Sequence, residues 1–130
     1  MKERNTLQRK IVSDAIEYCP PHFSIEDLYS IIKEEYPSIS KTTVYRNLRQ
    51  LAKNSQIRQV VLHDGLERYE RNSPFHYHFK CVTCDGIFDI DTGVLSQVEF
   101  GKISKLVEES YALTVEQHYV MFKGNCNSCE

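Results

Sequence analysis

Two Cys-x-x-Cys pairs, Cys81–Cys84 and Cys126–Cys129, constrain this 130-residue chain more than any other feature. Four thiolates can surround one Zn2+ as a tetrahedron, and a chain that builds such a site must bring its end back to residue 81. The 41 residues between the pairs, 85 to 125, exceed the spacing of a compact zinc ribbon. The spacing therefore predicts a clip that ties the last residues onto an earlier strand, holding a structural Zn2+ rather than disulfides. No apolar run approaches the ~18 residues of a membrane span, and no N-terminal stretch has the apolar core of a signal peptide. The expected home is the cytoplasm, without a membrane partner, and reduced thiols there favour metal over disulfide. Cys19 has no cysteine neighbour and is expected to be a buried small apolar residue.

Immediately before the first pair runs Phe75-His76-Tyr77-His78-Phe79-Lys80. On a strand, successive side chains alternate faces, so Phe75, Tyr77 and Phe79 are expected in a core. His76 and His78 then project together from the other face as a pair of imidazole donors. A lone His-x-His is more often a polar strand face than a ligand pair. Here it adjoins a thiolate motif, and two sites are implied, one sulfur-rich and one of nitrogen and oxygen.

The first part of the chain has a different pattern. Thr6 is expected to cap a helix carrying Leu7, Ile11, Val12, Ala15 and Ile16 on one side, ending before Cys19-Pro20-Pro21. Ser24-x-x-Asp27 reads as a capping box opening a second helix that stops near Tyr36-Pro37. Ser40 caps a third, whose apolar stripe is Val44, Leu48 and Leu51 and whose polar face is Thr42, Tyr45, Arg46, Arg49 and Lys53. Residues 59–70 read as two strands around Asp64-Gly65. Three helices and a hairpin describe a winged helix-turn-helix, whose third helix offers its polar face to the major groove.

Charge distribution agrees with that use. Residues 1–72 hold 12 Lys+Arg and 10 Asp+Glu, whereas residues 73–130 hold 4 and 8. From Lys41 to Arg58 there is no acid at all. Such a stripe on a mildly acidic protein is a footprint for a polyanion, although a solvated helix face is the commoner origin of such runs. Lys10, Arg58 and Arg68 are candidates for phosphate contacts; His63, beside the hairpin turn, is expected to be exposed.

After residue 72, a strand Ile87–Asp91 follows the His/Cys strand. Thr92 is expected to cap a helix burying Val94, Leu95, Val98, Ile103, Leu106 and Val107, and a last strand is expected over Leu113–Lys123. This β-β-α-β unit is too small to bury enough surface alone, so a homodimer is expected. The fold class is α+β: a winged helix-turn-helix domain over 1–72 followed by a small α/β metal-binding dimerisation domain over 73–130.

Ser40-Lys41-Thr42-Thr43-Val44-Tyr45-Arg46-Asn47-Leu48, then His76-x-His78-x-x-Cys81-x-x-Cys84-Asp85-Gly86, then Cys126-x-x-Cys129, resemble the ferric uptake regulator family of bacterial metal-dependent repressors. The likeness runs over essentially the whole chain. It implies a non-enzymatic homodimer that binds operator DNA, a structural zinc on the four cysteines, and a regulatory divalent metal near the domain junction. The ligands implied for that metal are His22, Glu70, His76, His78 and Asp89. Tyr45 and Arg46 are implied as base or phosphate contacts. Mixed nitrogen and oxygen donors suit Fe2+, Mn2+ or Zn2+, and ligand type alone does not choose among them.

Several positions depart from the family pattern. Leu7 stands where Pro is usual. Phe75, Tyr77 and Ser96 occupy positions where iron-responsive members have an accessory metal site, leaving only His118. Tyr77 and Asp89 resemble the peroxide-sensing branch, and Glu70 the iron-responsive one. Iron, peroxide and zinc sensing stay open, in that order. A metallohydrolase could use His-x-His with carboxylates, but no general base is recognisable. A zinc-ribbon adaptor would leave His22, Glu70 and Asp89 idle.

Overall fold

The computed structural model describes residues 2–129, with side chains described from residue 7 onward. The chain divides into two compact units, the first ending at Ser73 and the second starting at Pro74.

The first unit contains α1 (Lys2–Ile16), α2 (Ile25–Glu35), α3 (Lys41–Lys53), β1 (Ile57–Val60) and β2 (Arg68–Arg71). Because α1 starts at Lys2, Thr6 lies inside the helix rather than at its cap, and its side chain falls outside the described residues. The capping box of α2 is complete: Ser24 Oγ accepts from the Asp27 amide at 3.1 Å, and Asp27 accepts from the Ser24 amide at 2.9 Å. These bonds satisfy donors that a helix start leaves orphaned. Ser40 caps α3 in the same way, accepting from the Thr43 amide at 3.1 Å.

The apolar stripes of the three helices meet. Val12 and Ile16 from α1, Leu28 and Ile32 from α2, and Val44, Leu48 and Leu51 from α3 are all buried. Each such side chain contributes roughly 1.5–3 kcal/mol of transfer free energy. β1 and β2 pair antiparallel from Ile57↔Arg71 to Val60↔Arg68, so the wing turn is longer than an Asp-Gly hairpin and spans residues 61–67. Gly65 takes φ +80 within it, a value side chains rarely adopt. His63, beside that turn, is exposed.

The wing is sewn to the helices twice. Phe23 and Tyr69 form an antiparallel bridge, with Phe23 N–H donating to the Tyr69 carbonyl at 2.9 Å and Tyr69 N–H to that of Phe23 at 2.7 Å. Arg71 donates to the Ile16 carbonyl at 2.6 Å at the end of α1, where a cation also complements the helix dipole. Cys19 is buried with its thiol toward the Ala15 carbonyl, and burial pushes that thiol up to about 11.

The second unit is a three-stranded sheet in the order β4-β3-β5, made of β3 (His76–Cys81), β4 (Ile87–Asp91) and β5 (Met121–Gly124), plus α4 (Phe100–Tyr111). β3 pairs antiparallel with β4 and parallel with β5. Four expectations change here. Phe75 is 62% exposed because β3 starts after it; Tyr77 is buried and Phe79 half-buried. Asp91, not Thr92, caps the turn that follows, accepting from the Gly93 amide at 2.7 Å, and that turn is a short 3-10 helix separate from α4. The apolar residues of that turn and of α4 are not buried within one chain: Val94 is 74%, Leu106 62% and Ile103 50% exposed. Strand pairing runs over Met121–Gly124 and so covers only the last three residues of the expected 113–123, because residues 113–120 have no neighbouring strand among the described residues.

Candidate metal centres and nucleic-acid interface

The cysteine clip is built by parallel pairing. Cys81 stands opposite Gly124, and the Val82 amide donates to the Gly124 carbonyl at 2.8 Å, which delivers Cys126 and Cys129 beside the first pair. The Cys81–Cys84 knuckle closes with the Asp85 amide on the Cys81 carbonyl at 3.0 Å. Gly86 suits that place, since a Cβ would stand 3.2 Å from Cys84 Sγ and crowd the thiol.

All four sulfurs lie within 4.8 Å of one another, and Cys84 and Cys126 are 3.9 Å apart. Sulfurs ~2.3 Å from one tetrahedral ion lie about 3.8 Å from each other, so the cage fits Zn2+. Backbone N–H groups, first that of Cys84 and then that of Cys126, hold the Cys81 thiol down at about 6. Cys129 is pushed up to about 12, chiefly by the hydrogen bond it shares with Cys126. Such a cage exchanges protons for metal.

The second donor set of this unit lies along β3 and β4. Register places His78 opposite Asp89, and strand alternation puts His76 on the same face. His76 Nε2 and His78 Nε2 are 3.1 Å apart, and Asp89 Oδ1 is 3.3 and 3.7 Å from them. Two nitrogens held ~2.1 Å from one ion at roughly a right angle lie about 3 Å apart, so this spacing fits a shared ion. His76 Nδ1 is 3.0 Å from the Pro74 carbonyl, which can only accept. That bond puts the proton on Nδ1 and leaves the Nε2 lone pair for a metal, an outer contact typical of ligating histidines.

In the first unit, His22 precedes Phe23 and Glu70 follows Tyr69, so the Phe23–Tyr69 bridge sets them side by side. His22 Nε2 is 3.6 Å from Glu70 Oε2, and the Glu70 side chain is only 5% exposed. Arg58 lies 3.8 Å from its other oxygen. A carboxylate this buried is costly without positive charge nearby; Arg58 supplies part of it, and the Glu70 oxygen beside His22 could hold a cation.

The polar face of α3 borders an open groove of about 840 Å3 whose lining includes Arg46, Arg49, Lys53, Arg58, Glu67 and Tyr69. Thr42, Arg46, Arg49 and Lys10 are exposed. Arg58 also donates to the Ser73 carbonyl and to Asn72 at 3.3 Å, so it is half-committed within its own unit. Arg68 is paired with Asp64 at 2.8 Å. Tyr45 is half-buried, and its hydroxyl donates to Glu67, a residue that sequence reasoning did not single out. Its position 22 residues away offered no local signal.

The pattern of the ferric uptake regulator family matches residues 1–123. The chain belongs to this family of metal-dependent transcriptional regulators. The ferric uptake regulation protein of Bacillus subtilis is 31% identical over 112 residues, covering 83% of this chain and 72% of that protein. The peroxide-responsive repressor PerR of Staphylococcus aureus is 25% identical over 127 residues, covering 98% of this chain and 82% of that protein. Among solved structures, the peroxide stress regulator of Campylobacter jejuni superposes with a TM-score of 0.68 at 27% identity, over 98% of this chain and 93% of that one. Family membership makes the chain a regulator rather than a hydrolase or a zinc-ribbon adaptor.

Proposed function

We propose that the chain is a homodimeric, cytoplasmic repressor that binds operator DNA when a divalent metal occupies a site shared between its two units. The observation that carries this reading is the pair of matched half-sets on either side of the chain junction. His22 and Glu70 are held by the winged helix, while His76, His78 and Asp89 are held by the sheet. The half-sets offer two and three protein donors, so each alone leaves coordination positions that the other could fill. Shared ligation ties the angle between units to occupancy, and in a dimer that angle sets the separation of the two α3 helices. Moving a state populated at ~1% to ~99% needs about 5.5 kcal/mol of differential metal affinity. These five residues would hold the ion through imidazole nitrogens and carboxylate oxygens, and the ion would supply the positive charge that their carboxylates attract.

Fe2+ or Mn2+ is the proposed regulatory ion, with Zn2+ as the alternative for a zinc-responsive regulator, and a structural Zn2+ is assigned to Cys81, Cys84, Cys126 and Cys129. DNA contacts are assigned to Lys10, Thr42, Tyr45, Arg46, Arg49 and Arg58. The second copy covers α4, whose Ile103 and Leu106 are exposed in the single chain. Peroxide sensing through bound Fe2+ is the second reading, favoured by the 25% identity to a peroxide-responsive repressor over nearly the full chain.

His22→Ala tests the shared site. It is expected to keep the cysteine-bound zinc and the dimer while losing metal-dependent DNA binding by fluorescence anisotropy. Wild-type affinity and metal response in this variant would exclude the bridge. Exposure of the Fe2+-loaded protein to micromolar peroxide separates the two readings, since oxygen found on His22 or His76 by mass spectrometry marks a peroxide sensor.

A further inference from the structure

The acid-free run from Lys41 to Arg58 acquires an acid only on folding. Glu67, from the wing turn, lines the same groove as Arg46, Arg49, Lys53 and Arg58. Its carboxylate is engaged from two sides. The Tyr45 hydroxyl donates toward it, at 3.0 Å from one oxygen and 2.9 Å from the other. The Tyr69 hydroxyl donates to it from the core side. Tyr69 is 2% exposed, packs against Phe23 at 6.0 Å between ring centres, and is bridged to it through the backbone. On the other side of Tyr45, the Arg49 guanidinium lies 5.7 Å from the ring centre, within cation–π range.

We infer that Glu67 is a positioning residue for sequence-specific DNA binding, holding Tyr45 of α3 by its hydroxyl against an anchor that runs through Tyr69 into the core. This inference rests on the reading of α3 as the helix that meets DNA. The physical reason is the cost of ordering. A tyrosine on an exposed helix face must lose rotamer freedom when it docks, and a hydrogen bond to a carboxylate fixed in advance removes that cost from the binding step. The charge acts in the opposite direction. One negative group among four positive ones weakens the sequence-independent attraction to phosphates. Glu67 therefore acts in two separable ways: its acceptor oxygens favour specific binding by holding Tyr45, and its charge lowers affinity for any duplex alike.

The test uses the full-length, Mn2+-loaded protein and two short duplexes: one selected by the wild type from a randomised DNA pool, and a scrambled version of it. Tyr45→Phe removes the hydroxyl, Glu67→Ala removes the acceptor, and Glu67→Gln keeps an acceptor without the charge. Tyr45→Phe and Glu67→Ala are each expected to weaken binding to the selected duplex by about tenfold, the loss of one hydrogen bond to a charged group. The double variant is expected to be no weaker than either single one, because both remove the same bond. Glu67→Gln is expected to bind both duplexes more tightly while keeping their affinity ratio, a result that a merely structural role would not produce. Thermal melting of each variant reports that the first unit is folded. Losses that multiply in the double variant, or unchanged affinity in Glu67→Ala, overturn the inference. Tyr45→Ala with wild-type affinity for the selected duplex would instead overturn the recognition-helix reading beneath it.

Discussion

The two units solve the same problem of burying apolar surface in different ways. The first closes a core inside one chain: Phe23, Leu28, Val44 and Leu48 are all 0% exposed, and three helices and a wing surround them. In the second, only Tyr77 and Cys81 among the described residues are buried at all, Tyr77 still 8% exposed, while Leu106, Tyr111 and Tyr119 stand more than half exposed. The difference teaches where each unit's stability resides. The winged helix closes its own core, whereas the sheet unit leaves apolar surface that the proposed cysteine cage and second copy would have to stabilise.

The largest effect is expected from Cys126→Ser. Apparent zinc affinities of thiolate cages are of order 10 kcal/mol, more than a unit with two buried side chains can lose. The variant should release zinc, measured by metal analysis, and lose protection from hydrogen exchange over β3–β5, while α1–α3 stay protected. Simultaneous loss of protection in the helices would break the comparison.

A matched pair of substitutions sharpens it. Leu48→Ala should destabilise the first unit by roughly 2–5 kcal/mol in chemical denaturation, since it opens a cavity in a closed core. The same change at Leu106, which is 62% exposed, should leave the fold of the single chain untouched and appear instead as a dimer that dissociates on dilution, read by analytical ultracentrifugation. A Leu106→Ala protein that is as dimeric as wild type would mean that α4 is not the covered face.

The smallest effect is local. Ser24→Ala removes one half of the capping box of α2 and should cost about 1 kcal/mol of first-unit stability, with zinc content unchanged. A loss of metal in this variant would show that the two units are not independent.

Much of this was legible in the chain itself. Caps at Ser24 and Ser40, the stripes of α2 and α3, the strand over Ile87–Asp91, and the cysteine pairs are signals carried within a few residues, where backbone geometry and side-chain period are decided. The His76 and His78 pair follows from the two-residue repeat of any strand. Other features depend on which distant segments meet. Asp89 becomes a partner of His78 only through the β3–β4 register, and Cys126 meets Cys81 only through parallel pairing of β5 with β3.

Where local rules misled, tertiary context was the reason. The 113–123 segment has strand character, but only Met121–Gly124 finds a neighbour to pair with in one chain. The helix after residue 92 has an apolar face, yet its Ile103 and Leu106 stay half exposed or more. Glu67 looks like a solvent-facing wing residue in sequence and becomes the acceptor for two tyrosines in the fold. Sequence determines which surfaces want burial and which atoms want partners, because those preferences are local chemistry. Only tertiary structure decides which partner is within reach, because a hydrogen bond or a metal cage requires atoms placed to within fractions of an ångström by chain folded elsewhere.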